Sequence, residues 1–170
     1  GKSKSFFISS LDANGSWINK TPNASKRFLY RLDEVKTGIK QGKKIYLVEG
    51  EKDVERLRKE KLISTTILEG AGGAIRSEYI KQLEGADIVL LYDEDKAGYV
   101  RRDKFCMALF GKVKSLRVVK LPGLEYREDH GLDVSDWLDQ GHTIQELEQL
   151  VNATVPVDEA DIQKRVPGHY

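Results

Sequence analysis

The chain has 170 residues, enough for one domain with a substantial core, or for one domain with appendages. Charged residues make up 32% while the net charge is only +1, so no global field draws in a polyanion and basic character is left to local patches. One cysteine excludes an internal disulfide framework, and one cysteine with three scattered histidines excludes a zinc ribbon or finger.

No run approaches the roughly 18 apolar residues of a membrane-spanning helix, and no secretory signal opens the chain. The expectation is a cytoplasmic protein with no membrane partner. Gly1-Lys2-Ser3 is read as an excision point, because no strand precedes it to complete a phosphate-binding loop.

Ser5 to Ser10 and Ser16 to Asn19 are short apolar-aromatic runs, and Asn14-Gly15 between them predicts a β-hairpin. Thr21-Pro22-Asn23-Ala24-Ser25 reads as a loop, and Arg31 to Lys40 as a short helix ending before Gly42. With little core pattern of their own, residues 1–42 are read as an N-terminal appendage of hairpin and short helix.

From Lys44 the pattern becomes regular. Ile45 to Val48 predicts a strand, and Glu51 to about Lys61 a helix with Val54 and Leu57 on one face. Thr65 to Leu68 predicts a second strand, and Ser77 to Glu84 a helix with Ile80 and Leu83 inward. Asp87 to Tyr92 gives a third strand, Tyr99 to Phe110 a helix with Cys106 as a buried thiol, and Ser115 to Leu121 a fourth strand. This alternation predicts an α/β fold with right-handed crossovers: about four mainly parallel strands, with helices on both faces. That domain is taken as residues 43–140. A C-terminal helix from Thr143 to Val151 and a loosely held tail make up residues 141–170.

Within this frame the third strand stands out. Its apolar run breaks at Asp93 and Asp95, and the strand period of two sends both to one side as the chain leaves the sheet. Open α/β sheets bind their ligands outside the carboxyl ends of the strands. Two carboxylates crowded there repel unless a cation, a proton or solvent intervenes. Two readings remain open: a divalent metal site, or an aspartate-rich turn with one residue capping the next helix.

In Val48-Glu49-Gly50-Glu51-Lys52-Asp53, Glu51 and Asp53 suit the first turn of a helix. Glu49, at a strand end before a glycine, can ligate a metal or act as a general acid or base. Gly70-Ala71-Gly72-Gly73-Ala74 has amides that can cradle phosphate, but it lacks both the Gly-Lys-Ser/Thr ending and the third dinucleotide glycine. It reads as a flexible turn. Asp129 to Leu138 supplies either a further metal ligand or a polar loop in which Ser135 or Asp136 caps a short helix carrying Trp137 and Leu138. An EF-hand starting at Asp93 fails, with Ala97 at the third ligand position and Lys104 in place of the bidentate glutamate. A receiver domain with Asp93 as phosphoacceptor is a poorer match, since the first strand offers Glu49-Gly50 rather than an acidic pair.

Taken together, Val48-Glu49-Gly50 with Asp53, Tyr92-Asp93-Glu94-Asp95-Lys96-Ala97-Gly98 and Gly131-Leu132-Asp133 resemble the Toprim domain. That domain is shared by bacterial-type primases, type IA and type II topoisomerases and some nucleases. The Lys-Ala-Gly ending and Asp133-Val134-Ser135-Asp136-Trp137-Leu138 are similar to the primase-type Toprim proteins of bacteria, phages and mobile elements. These are often fused to a zinc-binding module on one side and a helicase on the other.

The resemblance implies magnesium-dependent nucleotidyl transfer, with manganese as a substitute: primer synthesis from nucleoside triphosphates on single-stranded DNA during DNA replication, in a bacterial or phage-infected cell. It casts the chain as part of a larger DNA primase or primase-helicase, with no zinc of its own. It implies Glu49 as general acid or base or metal ligand, Asp93 and Asp95 as magnesium ligands, and Asp53 and Asp133 as further acidic positions. Ser135 stands where a second aspartate often follows, with Asp136 one step beyond. Lys52, Lys96, Arg101 and Arg102 are candidate phosphate or nucleic-acid contacts, or else a solvated helix face. A Toprim module that binds nucleic acid or assembles without turnover, and a Toprim nuclease using water, are the alternatives.

Overall fold

The structure is a computed structural model and describes residues 10–11, 14–18, 27–67 and 75–166. A two-stranded antiparallel ribbon, β1 (Ser10–Leu11) and β2 (Trp17–Ile18), turns through Asn14 and Gly15, whose φ of 79° only glycine adopts without strain. The Asn-Gly hairpin is therefore formed. The glycine-rich turn at residues 70–74, the loop at residues 21–25 and the run before Ser10 lie outside the described residues.

The main sheet holds β3 (Lys44–Leu47), β4 (Ile63–Thr65), β5 (Asp87–Leu90) and β6 (Ser115–Val118), all parallel, in the order β4-β3-β5-β6. Seven helices accompany them among the described residues: α1 (Leu32–Lys40), α2 (Glu51–Lys59), α3 (Ser77–Gln82), α4 (Lys96–Leu109), α5 (Val134–Asp139), α6 (Ile144–Ala153) and α7 (Glu159–Arg165). Side-chain alternation along the strands feeds two cores. Ile45, Leu47, Ile88 and Leu90 face one way and pack with Val35 of α1, Phe105 and Leu109 of α4, and Ile162 of α7. Tyr46, Val48, Val89 and Leu91 face the other way and pack with Val54 and Leu57 of α2, Trp137 of α5 and Leu147 of α6. The expected sheet, parallel and covered on both faces, is the one observed. Among the described residues no helix is long and apolar enough to cross a membrane.

Three differences from the sequence reading have physical causes. β4 begins two residues early, because its register pairs Ile63 with Ile45, and β3 has already left the ladder when Thr66 is reached. α4 begins at Lys96 rather than Tyr99, because Asp95 caps it by accepting the Gly98 amide at 2.7 Å. The divisions drawn at residues 42 and 141 do not coincide with breaks in packing. Leu29 and Val35 are buried in the first core, and the Tyr30 amide donates to the Thr66 carbonyl at the β4 edge, 3.2 Å. At the other edge the Val157 amide donates to the Leu116 carbonyl of β6, 2.7 Å. The tail expected to be loose is held there, and α7 adds an ion pair from Arg165 to Asp103.

Candidate metal centre

The acidic site is assembled at the carboxyl ends of β3 and β5, where the strand-end carboxylates of the two central strands meet the start of α5. Glu49 follows β3 by two residues, and the Thr66 hydroxyl fixes its backbone by donating to its carbonyl, 3.0 Å. Burial pushes the Glu49 carboxyl up from its usual range; Arg101 and the backbone amide of Asp93 oppose that rise, and Asp95 and Asp133 add to it. Its Oε2 is buried with no hydrogen-bond partner among the described residues.

Asp93 lies in the turn after β5 and is the most perturbed acid described. Its pKa is pushed up to about 8, first by burial and then by repulsion from Glu49, Asp53, Asp133 and Asp95. Partial burial and the crowding of four other carboxylates both favour its protonated form.

Asp95 is engaged differently. One of its oxygens accepts the Gly98 amide and the other the Gly131 amide, each at 2.7 Å. The capping alternative is thus realised at Asp95, whose carboxylate retains its remaining lone pairs. Two glycines make this turn possible. A Cβ on Gly98 would lie 2.2 Å from the Asp93 carbonyl oxygen, and one on Gly131 would lie 2.7 Å from the Asp95 nitrogen.

Asp53, in the first turn of α2, is buried and accepts a hydrogen bond from the Ser135 hydroxyl, 2.5 Å. Burial pushes its pKa up to about 6, with Asp133 adding to the rise and Ser135 and Lys52 resisting it. Asp133 is the N-cap of α5 and forms a capping box with Asp136: each side chain accepts the other's backbone amide, at 2.9 Å. Burial works to raise Asp133 as well, but Lys52, at 2.7 Å, and the Asp136 amide win and hold it below its usual value.

The structure therefore brings Glu49, Asp53, Asp93, Asp95 and Asp133 together. The N-cap of α5 is Asp133, not Ser135 or Asp136 as expected from the sequence, because the helix starts at Val134 and Asp136 is left to complete the box.

The four basic candidates divide. Lys52 is taken up by Asp133. Arg101 is turned inward toward Glu49 and Asp93, its Nη2 buried and unpartnered among the described residues. Arg102 pairs with Asp103 and lies over the rings of Tyr92 and Tyr99, 5.0 and 4.7 Å from their centroids. Lys96 is exposed, as Lys52 is, but has no partner among the described residues. Sequence reasoning missed Ser135 as the partner of Asp53 and Gly131 as an amide donor to Asp95. The left-handed His130 before Gly131, at φ 53°, marks the turn that aims that amide. Among the described residues no group of three or more His, Cys, Asp or Glu side chains is placed so that it could hold a metal ion.

The chain resembles the crystal structure of the Aquifex aeolicus primase zinc-binding and RNA polymerase domains, with a TM-score of 0.60 and 21% identity, covering 87% of this chain and 36% of that one. It also resembles, at a TM-score of 0.48 and 20% identity, the primase domains of bacteriophage T7 in a complex with lagging-strand DNA polymerase, covering 88% of this chain and 71% of that one. By sequence, the chain is homologous to part of a DNA primase of Lactococcus lactis subsp. lactis (strain IL1403). The two are 30% identical over an alignment of 164 positions, which covers 91% of this chain and 25% of that protein. The chain thus spans about a quarter of the length of the curated relative it matches. No family model matches it.

Proposed function

We propose that this chain is the Toprim module of a primase-type protein, that it binds magnesium (or manganese in its place) through Asp93, Asp95 and Glu49, and that it transfers nucleotides to a growing primer on single-stranded DNA. The observation that carries this reading is the crowding of Asp93 by four carboxylates, together with a Glu49 oxygen that no described group satisfies. Buried polar atoms are nearly always paired, so an orphaned carboxylate oxygen among raised carboxylates is the mark of a site made for a cation.

An all-oxygen donor set suits magnesium, which keeps several waters and uses one or two carboxylates plus substrate phosphates, so a closed protein cage is not required. When bound, the ion would orient a triphosphate and neutralise charge developing in an in-line displacement. The remaining roles belong to side chains. Arg101 favours ionised Glu49 despite its burial, leaving Glu49 able to ligate or to accept a proton. Gly98 and Gly131 hold Asp95 in place through their amides, and exposed Lys96 is free to meet a phosphate. Asp133, paired with Lys52, and Asp53, satisfied by Ser135, line the inner wall. Nucleoside triphosphates, a DNA template, a helicase and a zinc-binding module belong to this proposal, as does a cytoplasmic setting.

The test is a magnesium and manganese titration, read by calorimetry or NMR shifts, on the wild type and on Asp93→Ala/Asp95→Ala. Saturable binding in the wild type that weakens at least about tenfold in the double variant is the expected result. Binding that is absent, or indifferent to the substitutions, removes the metal from this site. Turnover assays on primed and unprimed single strands then separate the classes. Dinucleotide formation supports the primase, cleavage without synthesis the nuclease, and metal binding without turnover a module that only binds.

A further inference from the structure

At the end of the sheet opposite the carboxylates, a cavity of about 330 Å³ opens between the starts of β3 and β4 and the side of α6. Five residues of extended chain, about 16 Å, separate Lys44 at this end from Glu49 at the other. Lys43, Lys44 and Lys61 line the cavity, against one carboxylate, Glu148. None of the three ammonium groups has a carboxylate within ion-pair reach among the described residues. Asp87, the remaining acid near the cavity, is held by Arg117 at 3.0 Å. Lys61 is presented from a left-handed backbone, φ 63°, at the end of α2.

The floor is mixed. Tyr46 and Asn152 contribute polar groups, and Val151 and Leu62 an apolar wall. The Tyr46 hydroxyl has no hydrogen-bond partner among the described residues and, with its pKa pushed up to about 12 by burial and by Glu148 and Asp87, stays a donor. Side-chain ammonium groups are effective point-charge binders of phosphate. A volume near 330 Å³ lies at the lower end of the range for small-ligand sites, roughly 300–1,000 Å³.

We propose that this cavity binds a small phosphorylated molecule of about mononucleotide size, its phosphates among Lys43, Lys44 and Lys61 and its remainder against Tyr46 and Val151. A half-open cavity that three lysines help to line suits a compact ligand better than a strand of nucleic acid, which calls for a basic track along a groove. The site is separate from the acidic cluster and does not rest on the metal reading.

Pyrophosphate and ATP are titrated calorimetrically into the chain in EDTA, so that no divalent ion bridges them to the carboxylates. The variants are Lys44→Gln/Lys61→Gln, with fold checked by circular dichroism, and Asp93→Asn. Saturable one-to-one binding with a Kd below about 1 mM is expected, at least about tenfold weaker in the lysine variant and unchanged in Asp93→Asn. No saturable binding, or binding indifferent to the lysines, overturns the site. Loss in Asp93→Asn would move the ligand to the acidic end. Tighter binding of a single-stranded oligonucleotide, displacing pyrophosphate through the same lysines, would overturn the small-molecule assignment.

Discussion

Replacing Asp93 with asparagine is expected to stabilise the metal-free protein at neutral and alkaline pH, against the usual direction of substitutions at buried sites. The folded-state pKa is about 8, against an ordinary value of 3.8. Between those two values the folded chain binds a proton that the unfolded chain has released. Stability therefore falls as pH rises through that window, and the loss is complete above about pH 8. Each tenfold change in proton affinity between the two states corresponds to about 1.4 kcal/mol, but neighbouring carboxylates relax and titrate together, so a gain of about 3 kcal/mol for Asp93→Asn at pH 8 is a fair magnitude. For a chain of this length that is about 6–12 °C in Tm, shrinking toward zero near pH 4. Calorimetric melts at pH 5 and pH 8, in EDTA, read it directly. A variant no more stable than wild type at pH 8 would mean that Asp93 is not strained by its neighbours. Saturating magnesium should raise the Tm of the wild type and leave the variant nearly unmoved, since only the former gains a ligand for its carboxylate.

The second large effect is at Gly98. Helix propensity alone argues that Gly98→Ala should help by about 1 kcal/mol, because the residue is inside α4. Packing argues the reverse. The new methyl would lie 2.2 Å from the Asp93 carbonyl oxygen and 2.9 Å from its carbon, and these are backbone atoms that cannot swing away. The collision wins, at a net cost of about 3 kcal/mol, toward the upper end for overpacking. Relief requires the Asp93 turn to shift, so divalent-metal affinity should fall at least about tenfold in the same variant. Gly38→Ala makes the contrast. There the methyl would meet Ile63 Cδ1 at 2.5 Å and Ile45 Cδ1 at 2.9 Å, side-chain ends that can rotate, and the loss should be much smaller. Equal melts for Gly98→Ala and wild type would show that the close approach does not constrain the site.

Strands and their faces were legible because both faces of β3 and β5 are buried, which leaves apolar runs such as Ile88-Val89-Leu90-Leu91 that few other elements produce. The placement of Glu49 and Asp93 was legible for the same reason, since each is where such a run stops. Strand order was not: nothing in β4 alone says that it pairs outside β3, which depends on contacts across the whole chain. The fate of Arg101 could have been read. It lies three residues after buried Gly98 and four before buried Phe105, so helical spacing puts it on the covered face of α4, against Glu49 rather than solvent. The bond from Ser135 could not be read, because its partner Asp53 is 82 residues away and only the fold brings them together.

The backbone bonds from Tyr30 to Thr66 and from Val157 to Leu116 have a consequence for the outer strands. A parallel sheet with bare edges offers unpaired amides and carbonyls to any extended chain nearby. Here a segment before residue 43 bonds to the chain at the end of β4 and a segment after residue 140 bonds to β6, so each covers part of one edge. A piece trimmed to residues 43–140 would keep every carboxylate of the site and lose both covers, and the expected outcome is self-association through β4 and β6 rather than a smaller working module.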